Sequence, residues 1–577
     1  MILRLLCTLA VLLAGGAAAQ ATAEAVADLV DFLPNFGKDG SLENGTKPLT
    51  VYSGYLQVNK EPSREIFYSF VESEDNPDQD PLLVWLQGGP GCSSVGIGLF
   101  QEIGPFSFDY RRNISKPALG RNSFSWHKFA NVLFLDTPAF TGFSRSTDNV
   151  SGQYWGDDNT TADNLLALRA FYSRFPEMAG RPLFLAGQGY AGHFIPLLAK
   201  RMLDYNAQGL PDPYQLKGIL LGNPWTDPTL DNAGAVGFWY SQGIISRPTF
   251  DALKSSCDPS KTVLWMTQGN GGNVTGACKQ ARDTALKETA QLNMFGLGAP
   301  RCVMPPNFTL PGDRGVLPLE GDIASVDPTT LPKAFQSIAA NRPGGAPNPY
   351  FDPCLSYRAA VYLSEAEVQQ ALHAIGPDEA AKPWQACNPD VVRYSLPDML
   401  TSMLPTYTTL INSSLPILVY SGVADATVPT VGTRTWVESL RLQPAAAWAP
   451  LMDQANEVMG FAQEYQGGLT FATLLDAGHS VPWFKPARAQ YFVGSWVGKL
   501  ANSTVAPATP ATPPPAAAAT PAGAPAASPP PAKGAANPGK APAPGAAAVA
   551  SPPPARRAAK AGKAAAPPPK GKAPVKA

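Results

Sequence analysis

Short apolar runs recur along the middle of this chain at 82–86, 132–135, 182–186, 218–221, 417–420 and 470–475. Most carry no regular polar alternation, so these strands are expected to be buried on both faces, as in a mostly parallel sheet covered by helices. Stretches with helical spacing lie between them. After the run at 182–186, for example, Phe194, Ile195, Leu198 and Met202 fall on one face of a helix. The predicted class is therefore α/β, a mostly parallel central sheet with helices on both faces, spanning 24–501. From about 247 to 353 the pattern fails. Gly, Pro and the cysteines Cys257, Cys278 and Cys302 dominate there without a long amphipathic run, and this segment is expected to be an inserted, disulfide-stapled cap.

Each apolar run ends in a chemically unusual turn. Gln87-Gly88-Gly89, Asp136-Thr137-Pro138, Gly187-Gln188-Gly189, Gly222-Asn223-Pro224, Gly422 to Asp425 and Gly478-His479 follow the six runs in order. In open α/β sheets the ligand crevice lies outside the carboxyl ends of the strands, so turns far apart in sequence converge on it.

Composition divides the 577 residues further. Residues 1–19 carry Arg4, an apolar run at 5–13 and small residues at 17–19, the layout of a secretory signal. That run is too short to span a bilayer and no later stretch is long enough, so a secreted, vacuolar or lysosomal protein without a membrane span is expected. Residues 503–577 are Ala, Pro, Gly and Lys with few large apolar side chains, too little to offset the entropy of ordering, and are expected to be a disordered tail. Nine basic residues and no acidic ones lie in that tail. Setting them and Arg4 aside leaves 34 basic against 45 acidic residues, a net charge near −11 for the body. An acidic body behind a leader argues against a nucleic-acid partner. The Ser-Pro-Pro-Pro and Ala-Pro repeats are similar to hydroxyproline-rich wall glycoproteins, which implies a cell-wall or matrix contact through the tail.

Of seven cysteines, Cys7 leaves with the leader, and an even set of six remains, which in a secreted chain implies disulfides whose pairing spacing does not choose. No Cys-x-x-Cys or His/Cys cluster occurs, so neither a metal nor a cofactor is expected. Glycosylation sequons stand at Asn44, Asn113, Asn149, Asn159, Asn273, Asn307, Asn412 and Asn502.

The stretch FLAGQGYAGH at 184–193 has the strand, sharp Gly-rich turn and helix of a nucleophile elbow, yet Gly189 occupies its centre. Asp425 and His479 follow later strands, which gives the chain order elbow, Asp, His used by α/β-hydrolases.

From Tyr52-Ser53-Gly54-Tyr55 through WLQGGPGCSS at 85–94, NVLFLDTPAFTGFS, FLAGQGYAGH, LKGILLGNP and YSGVADATVP to AGHSVP at 477–482, the body resembles the serine carboxypeptidases nearly throughout. The resemblance implies an α/β-hydrolase with a cap that removes single residues from peptide C-termini. It places the catalytic acid at Asp425, the base at His479, the oxyanion-hole N–H groups at Gly89 and Tyr190, and the grip on the substrate carboxylate at Gln87, Gly88, Glu102 and Gln188. It also implies the pairs Cys92–Cys387, Cys257–Cys278 and Cys302–Cys354. Four positions depart from the family pattern. Gly189 replaces the nucleophilic serine, Gln188 a glutamate, Gln87 an asparagine, and Val423 an acidic residue.

Without a hydroxyl at 189 no acyl-enzyme can form. The expected protein is a secreted serine carboxypeptidase homologue with peptidase activity lost or strongly impaired, retained as a binder of peptide or protein C-termini. Amide groups at Gln188 and Gln87 are expected to donate to a ligand carboxylate at any pH, removing the family's acid dependence. The alternatives are an active hydrolase with a nonstandard nucleophile or a sequence error at 189, and a wall protein acting through its tail.

Overall fold

The computed structural model describes residues 21–503 apart from 38–39, 43–46, 62, 148–154, 265–273, 303–350 and 389–392. The expected leader, nearly all of the tail and much of the cap lie outside the described residues.

Thirteen strands are described: β1 (Val51–Lys60), β2 (Ser63–Val71), β3 (Leu82–Leu86), β4 (Phe106–Phe108), β5 (Leu119–Arg121), β6 (Asn131–Leu135), β7 (Arg145–Ser146), β8 (Leu183–Gln188), β9 (Leu216–Gly222), β10 (Ile417–Gly422), β11 (Ala449–Met452), β12 (Val458–Glu464) and β13 (Leu469–Leu474). Eleven form one sheet in the order β1-β2-β6-β3-β8-β9-β10-β13-β12-β11, with β7 beside β2; β4 and β5 pair separately. The six apolar runs expected from the sequence are its parallel centre, from β6 to β13. The antiparallel margins β1–β2 and β11–β12 were not among them. β1 and β12 mix polar with apolar residues, and β11, though apolar, is four residues long, contains Pro450 and lies largely exposed at the sheet edge.

Side chains on the central strands alternate between two cores. Leu82, Val84 and Leu86 of β3 join Leu183 and Leu185 of β8 on one face. Leu83 and Trp85 join Phe184 and Ala186 on the other. With both faces buried, period-two alternation separates the cores without alternating in polarity. The helix Ala191–Ala207 covers the first face through Phe194, Ile195, Leu198 and Met202, as its spacing predicted. On the second face lie the helices Leu355–Leu363 and Pro486–Ala501.

Within the cap the structure differs from expectation, because two helices form there, Arg247–Ser256 and Gly276–Thr289. The second buries Cys278, Ala281, Ala285 and Thr289, a helical stripe of small residues that gives little hydrophobic signal. Cys257–Cys278 joins these helices, Cys302–Cys354 ties the cap to the body, and Cys92–Cys387 closes a loop across 295 positions. All three pairs agree with the family pattern.

Candidate active site

The turns that end β3, β8, β9, β10 and β13 supply the residues of one crevice. Gly189 follows β8 at φ +60°, a left-handed conformation that glycine adopts freely and a side chain does not. Its N–H donates to the Gly222 carbonyl at 3.0 Å, and its carbonyl accepts from the Trp225 N–H at 2.9 Å. The elbow is thereby pinned to the turn after β9. A Cβ at 189 would lie 3.0 Å from His479 Nε2, and among the described residues beyond its chain neighbours the imidazole is the only group that it would meet within 4 Å.

His479 is oriented from two sides. Its Nδ1 lies 2.8 Å from Asp425 Oδ2, and its backbone N–H donates to the Phe295 carbonyl of the cap at 2.7 Å. With Nδ1–H directed at the carboxylate, Nε2 is the acceptor and faces position 189. Asp425 is fully buried. It accepts from the Thr427 N–H at 2.7 Å, the Val428 N–H at 3.3 Å and the Asn223 amide at 2.9 Å. Asn223 in turn accepts from the Gly422 N–H at 2.9 Å, joining the ends of β9 and β10. Its φ of +40° lies where Asn is tolerated better than most residues.

Gly89, at φ +119°, precedes a cis peptide to Pro90. Among the described residues neither its N–H nor that of Tyr190 donates to another protein group. Gly88 lies so close to the elbow that a Cβ there would sit 2.4 Å from the Gln188 carbonyl oxygen and 2.5 Å from the Tyr190 nitrogen. Behind the elbow the Tyr190 hydroxyl donates to Asp157 at 3.0 Å, and Asp157 also takes the Tyr394 hydroxyl and His193 Nδ1, each at 2.8 Å. Burial acts to raise the Asp157 pKa, but His193 and the two hydroxyls outweigh it and hold it below the ordinary value.

Gln188 and Glu102, expected in one grip, do meet. The Gln188 amide nitrogen donates to Glu102 Oε1 at 2.8 Å and to Ser480 Oγ at 2.9 Å. Burial raises the Glu102 pKa, opposed by hydrogen bonds from Ser480 and Gln188 and by His479. Glu102 ends a buried π-helical segment, Ser94–Glu102, seated closely enough that a Cβ at Gly96 would strike Trp384. Gln87 shares no hydrogen bond with this pair. Its side-chain oxygen accepts from Trp85 Nε1 at 3.1 Å. The expectation that the Gln188 amide is available to a ligand carboxylate is corrected, since both its N–H groups are already engaged.

Asn223, Ser480 and Asp157 were not singled out from the sequence. Asn223 had a signal, the Gly-Asn-Pro turn after a strand, whereas Asp157 joins Tyr190 across 33 positions with no local pattern to mark it. Among the described residues no group of three or more His, Cys, Asp or Glu could hold a metal ion, and no helix is long and apolar enough to cross a membrane.

The sheet, the elbow and the Asp–His couple in that chain order define an α/β-hydrolase. The chain belongs to the serine carboxypeptidase family, which it matches over residues 42–499. It is 36% identical over 449 residues to serine carboxypeptidase-like 32 of Arabidopsis thaliana, covering 77% of this chain and 88% of that one. To serine carboxypeptidase 24 of the same plant it is 36% identical over 443 residues, covering 76% and 86%. Its fold is similar to that of Kex1(delta)p, a prohormone-processing carboxypeptidase from Saccharomyces cerevisiae, with a TM-score of 0.61, 20% identity and coverage of 82% and 96%.

Proposed function

We propose that this protein is a secreted or vacuolar member of the serine carboxypeptidase family that has lost acyl-enzyme chemistry and serves as a binder of peptide C-termini. The observation that carries this reading is position 189. His479 Nε2 faces an α-carbon that bears no hydroxyl, while the Asp425 couple remains within hydrogen-bond distance. Ser480, the hydroxyl next to His479 in the chain, is bonded to Gln188, which weighs against its serving as a substitute nucleophile. Loss of such a serine lowers turnover by about a millionfold, equivalent to about 8 kcal/mol of transition-state stabilisation. The free N–H groups of Gly89 and Tyr190 support retained recognition of a peptide carbonyl.

The test is release of C-terminal amino acids from a peptide panel. The unaltered protein is expected to be inactive, and Gly189→Ser to raise release by about a hundredfold or more once His479 shifts a few tenths of an ångström to admit the side chain. His479→Ala in that background should remove the gain. Robust release by the unaltered protein, abolished by His479→Ala, would overturn the reading. The composition of the tail supports a separate role as a wall or matrix tether, which deletion of 503–577 with a localisation assay isolates from the body.

A further inference from the structure

Gln188 adjoins Gly189 and Ser480 adjoins His479, so the polar cluster they form with Glu102 borders the reacting position. Gln188 is 1% exposed and Glu102 3%. Both N–H groups of the Gln188 amide are engaged, one by Glu102 Oε1 and one by Ser480 Oγ. That arrangement sets the amide's orientation. The reversed amide would bring Gln188 Oε1 against the Glu102 carboxylate and give up that hydrogen bond, whereas the Ser480 hydroxyl can pair with the amide in either orientation. Two buried oxygens are then left without a hydrogen-bond partner, Gln188 Oε1 and Glu102 Oε2. An unpartnered buried polar atom calls for an explanation, and two of them side by side next to the reacting position are where a bound ligand would complete the pairing.

We propose that this recess prefers peptides ending in a neutral hydrogen-bond donor, a C-terminal carboxamide, over peptides ending in a free carboxylate. The inference rests on the reading that the site takes peptide C-termini, and it names the terminal group. With Glu102 ionised, the carboxamide nitrogen has two N–H groups to offer, one for each orphan oxygen. With Glu102 protonated on Oε2, the carboxamide donates to Gln188 Oε1 and accepts from the new O–H. A free carboxylate has no donor. In either state at least one of its oxygens faces Gln188 Oε1, and against an ionised Glu102 it adds like-charge repulsion. His479 is the neighbouring titratable group that acts on Glu102, and it supplies no proton donor to Gln188 Oε1. A glutamate at 188 would change the outcome, because two carboxyls and a ligand carboxylate can share protons at low pH.

The experiment titrates the full chain with a panel of N-acetyl dipeptides by calorimetry at pH 7, each in three forms: free carboxylate, carboxamide and N,N-dimethylamide. The carboxamide should bind about tenfold or more tightly than the carboxylate, as expected when a donor meets a buried acceptor. The dimethylamide is uncharged but has no donor, and should lose that advantage. Equal binding of carboxamide and dimethylamide would overturn the inference by showing that charge alone decides. Equal or tighter binding of the carboxylate would also overturn it, leaving the C-terminus-binding reading intact. If no form binds, both fail. Gln188→Glu, checked for its fold by circular dichroism, should invert the preference towards the free carboxylate at pH 5, and an unchanged preference in a folded variant would count against the role of Gln188.

Discussion

At the scale of single residues, Asn223 holds Asp425 in place. It donates to Asp425 Oδ2 at 2.9 Å, accepts from the Gly422 N–H at 2.9 Å, and does so from a positive φ. Asn223→Ala would leave a buried N–H unpaired and a carboxylate with one donor fewer, which should lower unfolding free energy by about 1–3 kcal/mol in urea titrations. Asn223→Asp should be more damaging still, since it sets a second carboxyl against a fully buried one. The identities of Gly189, Asp425 and His479 were legible because each falls in a turn after an apolar run. The bond between Asn223 and Asp425 was not, because it spans 202 positions.

At the scale of elements, the cap is held to the body by hydrogen bonds, by the Cys302–Cys354 disulfide and by an apolar cluster in which Leu253, Leu264, Ala281 and Ala285 pack with Val236, Phe238, Trp239 and Ala426. Its Phe295 carbonyl receives the His479 N–H, and the Ala426 N–H donates to the Met294 carbonyl at 2.9 Å. The three disulfides close loops of very different length, 295 positions for Cys92–Cys387 against 21 for Cys257–Cys278. On chain-entropy grounds, serine replacements at Cys92 and Cys387 should destabilise the protein by about 2 kcal/mol more than the same change at Cys257 and Cys278. Thermal or urea unfolding of the two double variants checks the ordering. The second cap helix was missed because its buried stripe is built from Ala, Cys and Thr, and the first because its ten residues bury only Thr249 and Leu253, whereas the central strands were found because large aliphatic side chains dominate both their faces.

For the whole molecule, several buried acids bias stability towards mildly acidic conditions. Burial raises Asp231 from 3.8 to about 7, opposed by N–H donors from Thr226 and Asp227. Asp136, buried and holding the Ser93 hydroxyl and the Val95 and Phe143 N–H groups, is raised to about 6. A carboxyl raised in the folded state contributes stability that is present below its unfolded pKa and is lost as pH rises through the folded one. His127 opposes this trend, because burial lowers it from 6.5 to about 4 and its contribution is lost as pH falls through that window. Two carboxyls against one imidazole should leave the protein about 2 kcal/mol more stable at pH 5 than at pH 7.5. Urea midpoints across that range measure the gain, and Asp231→Asn should abolish it.

The sequence by itself determined which segments become central strands and therefore which turns stand at their carboxyl ends. That is a local property, set by runs of apolar residues and by the Gly, Asp and His that interrupt them. With the family resemblance it also supplied the three cysteine pairs and the missing hydroxyl at 189. Only the tertiary structure decided how the polar groups are shared. His193 and His479 each lie 2.8 Å from an aspartate, yet His193 is completely buried beside Asp157 while His479 faces position 189. Gln188 could have offered its amide to a ligand, but Glu102, delivered from 86 positions earlier, and Ser480, from 292 positions later, engage both of its donors first. Partner choice of this kind depends on which groups lose water together when distant segments pack, and no local pattern along the chain carries that information.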